Sequence, residues 1–301
     1  MKTLPEKRLL LPGTKMAELV EANFSLLGVL SRLGISFGFG EKTVEQVCRS
    51  HGVLPETFLL ICRVYLQEGW RPGQDALEKA GLMNVVDYLR RSHSYYTDVM
   101  LVSLSEALER LILPCDLAHQ RIIRQFFRDY KEELVRHFDY EEQQVFGGLT
   151  PFDQDAYEES HAGVKEKLGD LKNLVIKYMP PQCQQQDASR VLFYIYSLEA
   201  DMNHHTQLEE ALLLQDREGS PSAEEEAHEA SGEHLSAREK EILVCVAQGM
   251  LNKEIADRFG LSIHTVITHR KNITRKTGIK TVAGLTVYAL LNGLIDMNSV
   301  E

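Results

Sequence analysis

HHTQLEEALL, residues 204–213, sets two adjacent histidines and a glutamate four positions after the second among apolar residues at helical spacing. The apolar stripe through this stretch runs Leu198, Met202, His205, Glu209, Leu212, so His205 and Glu209 share the inward face, while His204 falls beside Ala200, Asp201 and Leu208, nearer the flank. One ionisable turn on an apolar face is ordinary, because a single such histidine is more often a satisfied core residue than a ligand. What matters is whether other helices supply partners.

They do. Working upstream at steps of three and four gives Tyr157, His161, Val164, Leu168, Leu171, Val175, then Phe126, Tyr130, Leu134, His137, Glu141, Val145, then Leu89, His93, Tyr96, Met100, Leu104. These stripes lie in four long helical patterns, at about 76–112, 118–146, 153–179 and 187–215, joined by short connections, which predicts an up-down four-helix bundle. Every helix then presents one inward histidine, and two add a glutamate four residues on. An unpaired buried carboxylate costs several kcal/mol, and a second nearby worsens the cost, so cations are required. Imidazole with carboxylate is the ligand mix that iron accepts. The candidate metal ligands are therefore His93, His137, Glu141, His161, His205 and Glu209, with the two carboxylates placed to bridge a pair of ions. His51, His119, His204, His228 and His234 are expected on surfaces or loops.

Ahead of the bundle, residues 14–70 predict three short helices. They are TKMAELVEANFSLLGVLSRLG, then TVEQVCRSHG with a Thr43/Gln46 capping box, then PETFLLICRVYLQEG with Pro55 in its first turn and Gly69 after its last. WRPGQ (70–74) breaks the chain, and DREGSPSAEEEAHEASGEH (216–234), nearly devoid of apolar residues, reads as an acidic flexible linker. Four segments follow: a helical module at 1–75, the bundle at 76–215, the linker at 216–234 and a C-terminal domain at 235–301. The fold class expected is all-α, since no convincing period-2 run appears.

The order of a lone histidine, HFDYE, a lone histidine and HTQLE on successive helices resembles the hemerythrin-like superfamily, specifically the di-iron repair-of-iron-centres proteins, over residues 14–215. That resemblance implies two non-haem iron ions with a bridging oxo or hydroxo ligand, able to react with oxygen, nitric oxide or peroxide. It also carries a departure. Where that family's leading module has adjacent cysteines, this chain reads ISFGFGE, with Gly38 and Phe39 at the two positions, which argues against repair chemistry needing a thiol pair.

The C-terminal segment opens LSAREKEILVCVAQGM, with a Ser236/Glu239 capping box. It continues as helix (NKEIADRF), turn (Gly260) and helix capped by Ser262. Of the net charge of −11, the residues from Leu235 onward contribute +3, and no acidic residue occurs between Arg258 and Ile295. Arg270, Lys271, Arg275, Lys276 and Lys280 cluster on or just beyond the second helix, a phosphate-facing pattern. Val266, Ile273 and Thr277 mark that helix's core side and leave His264, Ile267, Thr268, Lys271 and Arg275 on the face that enters a major groove. Ile267, Thr268 and Lys271 are assigned to base edges, and Lys253, Thr265, Arg270 and Arg275 to phosphates. LSARE, NKEIA, TVITH and KTGI in this order resemble the LuxR-type helix-turn-helix family, which implies a four-helix domain acting as a homodimer on a pseudo-palindromic operator in double-stranded DNA. Many members carry lysine where Ile267 stands.

Five scattered cysteines without a C-x-x-C pair argue against a disulfide framework and a zinc site, and no stretch approaches a membrane span. A cytoplasmic, non-enzymatic regulator is expected, one that senses oxygen, nitric oxide or peroxide at a di-iron bundle and transmits the change to DNA. The alternative is a di-iron enzyme, for nitric oxide reduction or iron-centre repair, with an accessory DNA-binding tail. No catalytic residue is assigned.

Overall fold

A computed structural model describes residues 10–67, 69–147, 153–180, 185–213 and 235–295. Among these the fold is all-α, with one isolated bridge, Lys15 to Thr43, and no strand. The expected linker at 216–234 lies outside the described residues.

Four short helices, α1 (Met16–Ala22), α2 (Leu26–Arg32), α3 (Val44–Ser50) and α4 (Pro55–Leu66), precede the long ones. Thr43 and Gln46 close the capping box of α3, Pro55 opens α4, and Gly69 takes a φ of +72° beyond its end. The stretch 14–34 is two helices instead of the expected one. Asn23 sits in extended backbone between them, its Oδ1 accepting from Ser25 N at 2.9 Å and its Nδ2 donating to Tyr65 O at 3.2 Å. A short amide side chain offers the backbone an alternative to the helical ladder, and here it takes it. The pattern expected from residue 76 is likewise divided, into α5 (Gln74–Ala80) and α6 (Leu82–Tyr95), parted by Gly81 at a φ of +75°.

The long elements are α6 and α7 (Leu101–Ile112), α8 (Leu117–Tyr140), α9 (Gln154–Lys177) and α10 (Gln185–Leu213). Two of them contain π-helical turns, Tyr96–Met100 between α6 and α7, and Glu141–Val145 at the end of α8. Such turns are rare and occur mostly at functional sites. The C-terminal segment forms α11 (Ala237–Ala247), α12 (Asn252–Phe259), α13 (Ile263–Thr277) and α14 (Val282–Leu291).

The chain divides into two compact units that do not follow the expected domain order. The first gathers the described residues among 1–100, 142–150 and 197–222. Its core joins Leu19, Leu30, Phe58 and Ile61 from the short helices to Leu77, Val85, Leu89 and Leu208. The leading module is thus continuous with the start of α6 and the end of α10. The second unit holds the described residues among 101–141, 151–196 and 223–301. In it α8 packs against α7 and α9, and α14 packs against α8, α9 and α11.

Candidate metal centre and nucleic-acid interface

In the second unit, the last turn of α8 and the second turn of α9 bring His137, Glu141 and His161 together, with one ligand-type atom of each within 4.8 Å of the others. Glu141 is fully buried. Its Oε1 lies 2.7 Å from His137 Nε2 and 3.3 Å from His161 Nε2. The outer ring nitrogens are held from behind: His137 Nδ1 is 3.0 Å from Ser160 Oγ, and His161 Nδ1 is 3.0 Å from the Tyr157 carbonyl. A carbonyl only accepts, so His161 Nδ1 carries the hydrogen, and the Nε2 facing Glu141 presents a lone pair unless the ring is doubly protonated. Two electron-rich atoms directed at each other in a buried site suit an interposed cation. Outer-nitrogen anchoring of this kind is how metal-binding imidazoles are oriented.

The first unit holds the other pair. His93 Nε2 stands 3.2 Å from His205 Nε2, and both rings are buried. His93 Nδ1 lies 3.0 Å from Glu142 Oε1, which by the same argument fixes its hydrogen on Nδ1 and turns Nε2 inward. Glu209, one turn beyond His205 on α10, is fully buried. Imidazole and carboxylate donors, with His93, His137 and His161 oriented from behind, are of the class that first-row metal ions accept.

Glu142 is absent from the periodicity argument, since the stripe through His137 and Glu141 goes on to Val145 and skips it. The π-helical turn Glu141–Val145 adds a residue to the turn, so that consecutive carboxylates both find histidines. Only the run EE in the sequence hinted at this.

A second feature of the first unit also escaped the sequence. The Arg32 guanidinium is bidentate on Asp201, at 2.8 and 2.9 Å, and donates to Ser92 Oγ at 3.1 Å and Tyr65 OH at 3.0 Å. Tyr65 OH donates to Asp201 at 2.6 Å. Ser92 directly precedes His93, and Asp201 is one turn before His205, so this buried network grips both helices next to the histidine pair. Burial alone pushes the Asp201 carboxyl up, but Arg32 and the Tyr65 and Tyr96 hydroxyls hold it below the usual carboxylate value. His204, expected on a surface or loop, is half-buried with its ring 4.2 Å from that of Tyr65, and burial lowers its pKa. Phe37 and Phe39 face each other at 5.9 Å where the thiol-bearing segment would run.

In the C-terminal segment from Leu235 (the head), Ser236 and Glu239 form the capping box of α11, Gly260 takes a φ of +63°, and Ser262 accepts from Thr265 N at 3.1 Å to cap α13. Val266, Ile273 and Thr277 are buried, and His264, Thr268, Lys271 and Arg275 are exposed, as is Lys253 on α12, while Ile267 and Thr265 are half-buried. Several cations of the basic cluster have partners within the chain, among them Lys280, whose Nζ lies 3.7 Å from Glu166 Oε1. Arg270 donates to Asn252 Oδ1 at 2.7 Å, and Lys276 to Glu239 Oε2 at 2.9 Å. Burial pushes Glu239 up, yet Lys276 and the Ser236 amide and hydroxyl hold it below the usual value, tying the cap of α11 to the end of α13. Lys276 therefore supports the head rather than facing phosphate.

Residues 84–215 match the family described as the hemerythrin HHE cation binding domain, and residues 233–289 match the bacterial regulatory proteins of the luxR family. The chain joins a hemerythrin-type domain to a LuxR-type one. Similar relatives include the transcriptional regulatory protein MctR of Rhizobium johnstonii, 44% identical over 68 residues, which is 23% of this chain and 32% of that protein. The oxygen regulatory protein NreC of Staphylococcus aureus is 44% identical over 62 residues, 21% of this chain and 29% of that protein. The chain thus spans about a third of the length of these relatives. No solved structure matches it. Among the described residues, no helix is long and apolar enough to cross a membrane.

Proposed function

We propose that this chain is a DNA-binding regulator whose hemerythrin-type domain holds two non-haem iron ions and responds to oxygen, nitric oxide or peroxide. The observation that carries the proposal is a matter of covalent adjacency. Glu141 engages His137 and His161, while the next residue, Glu142, engages His93, which stands against His205. Consecutive residues bind the two histidine pairs, so a single dinuclear centre is the economical reading. Its ligands would be His93, His137, Glu141, His161, His205 and Glu209.

The iron would supply reversible redox and diatomic-ligand chemistry. The protein's own residues contribute the remainder: Ser160, the Tyr157 carbonyl and Glu142 orient the imidazoles, and burial of Glu141 and Glu209 keeps water away from the donors. Residues 76–215 would form the sensing bundle and 216–234 the link to a head at 235–301. That head would read a pseudo-palindromic operator as a homodimer, with Ile267, Thr268 and Lys271 at base edges and Lys253, Thr265, Arg270 and Arg275 at phosphates. A switch from mostly off to mostly on requires about 5.5 kcal/mol of differential affinity, within reach of metal–ligand chemistry. The similarity to an oxygen regulatory protein covers 21% of this chain and does not carry the sensing assignment, which rests on the bundle.

The test is anaerobic purification with iron quantification, an absorption spectrum before and after air or nitric oxide, and footprinting of each form. Iron near two per chain, reduced by Glu141→Ala, together with a DNA affinity that differs between forms, is expected. Absence of stoichiometric metal, or one affinity for all forms, would overturn the proposal, and sustained turnover of nitric oxide with an electron donor would instead favour an enzyme.

A further inference from the structure

In the second unit, α9 carries one polar stripe that meets the head. Asp170 is almost completely buried, and its carboxylate accepts from Lys280 N and Thr281 N, both at 2.8 Å, and from the Thr281 hydroxyl. Thr281 is itself the N-cap of α14, accepting from Gly284 N at 3.0 Å. The helix has no acidic residue in its own first turn, so the carboxylate that satisfies its amino-terminal dipole comes from the bundle. Gly284 explains the close approach: a Cβ there would stand 2.6 Å from Asp170 Oδ2, and equally close to Ile279 Cγ2.

One and two turns further along α9 the polarity reverses. Asn173 Nδ2 donates to Gly278 O at 2.7 Å, and Lys177 Nζ to Thr277 O at 3.4 Å. Tyr178 OH, just past the helix end, donates to Thr277 O at 2.9 Å. Acceptors thus face the amide end of α14, and donors face the carbonyl end of the reading helix α13. Beneath them the Tyr178 and Tyr288 rings meet edge-on at 4.6 Å, and Leu171, Leu174 and Val175 share an apolar pocket with Val287. The head is gripped from behind, since His264, Thr268, Lys271 and Arg275 stay exposed.

We infer that Asp170 is a latch holding the reading head to α9, and that a change at His161, on the same helix, is delivered to the head through it. The second half rests on the metal-centre reading above. His161 and Asp170 are nine residues apart on one uninterrupted helix, roughly 14 Å along its axis, so a displacement at one end is carried rigidly to the other. Helix α9 thus bears both a proposed ligand and hydrogen bonds to the turn between α13 and α14.

Hydrogen exchange of the Lys280 and Thr281 amides in the full-length protein tests both halves, because those amides are the donors to the latch. Asp170→Ala is expected to raise their exchange by roughly tenfold or more, and Tyr178→Phe and Asn173→Ala by smaller factors, with helical content unchanged by circular dichroism. Unchanged exchange in Asp170→Ala overturns the latch. If that variant does not fold, unchanged exchange in both of the others does so. In wild-type protein loaded with iron, nitric oxide is expected to change exchange at these two amides, and in Asp170→Ala to leave it fixed. A response of wild-type size in the variant overturns the coupling. Wild-type protein that binds no iron sinks the metal-centre reading and the coupling with it, while the exchange of the untreated variants still decides the latch.

Discussion

Asp201 and Asp170 are two nearly buried carboxylates, one in each compact unit, and they are compensated in different ways. Asp201 faces a guanidinium in bidentate geometry, reinforced by tyrosine hydroxyls, and its carboxyl is held below the ordinary value. Asp170 meets only neutral donors, two amides and a hydroxyl. Burial pushes its carboxyl up, and those hydrogen bonds pull it only partly back. A charge matched by a charge in a dry site is a permanent fastening. A charge matched by dipoles is a contact that can be given up at lower cost, which suits the joint proposed between α9 and the C-terminal head.

The comparison can be broken most forcefully at Arg32. Arg32→Ala strands the Asp201 charge and is expected to cost about 3–5 kcal/mol in urea unfolding, whereas replacing both partners by apolar residues recovers much of that. A loss below about 1 kcal/mol would mean that the pair is not the fastening between α2 and α10. Tyr65→Phe removes a hydroxyl donor to Asp201 and is expected to cost about 1.5–3 kcal/mol by the same measurement. Asp170→Asn leaves no stranded charge, so its expected cost is about 1 kcal/mol in global stability, with the larger effect confined to exchange at residues 280 and 281. A cost equal to that of Arg32→Ala would erase the distinction drawn between the two carboxylates.

The smallest effect concerns pH and has opposite signs at the two sites. Asp201 has a folded pKa below its unfolded value near ~3.9, so its contribution is present above that pH and is lost as pH falls through the folded pKa. Asp170 has a folded pKa above its unfolded value, so the folded form takes up its proton first, and its contribution improves as pH falls from the folded towards the unfolded pKa. Urea midpoints between neutral and acid pH should show Asp201→Asn flattening the acid loss and Asp170→Asn removing a gain that precedes it. Identical profiles for the two variants would refute the assignment.

Much of the fold was legible because helices repeat locally. The capping boxes at Thr43 and Ser236, the boundaries of α12, and the inward faces carrying His93, His137, His161 and His205 all follow from spacing within one or two turns. The break at Asn23 was missed because a side chain's competition with the backbone leaves no mark on periodicity.

What the sequence determined by itself is the all-α class, the two domain types and the helical spacing that sets the candidate histidines on inward faces, since each depends on residues near one another in the chain. Tertiary structure alone decided the rest. A π-helical turn brings Glu142 to His93, Arg32 reaches Asp201 across 169 positions of sequence, Lys276 pairs with Glu239, and Asp170 caps a helix that begins 112 residues later. Those contacts exist because a buried charge must find a partner wherever the chain folds one near it, and helical periodicity carries no record of distant neighbours.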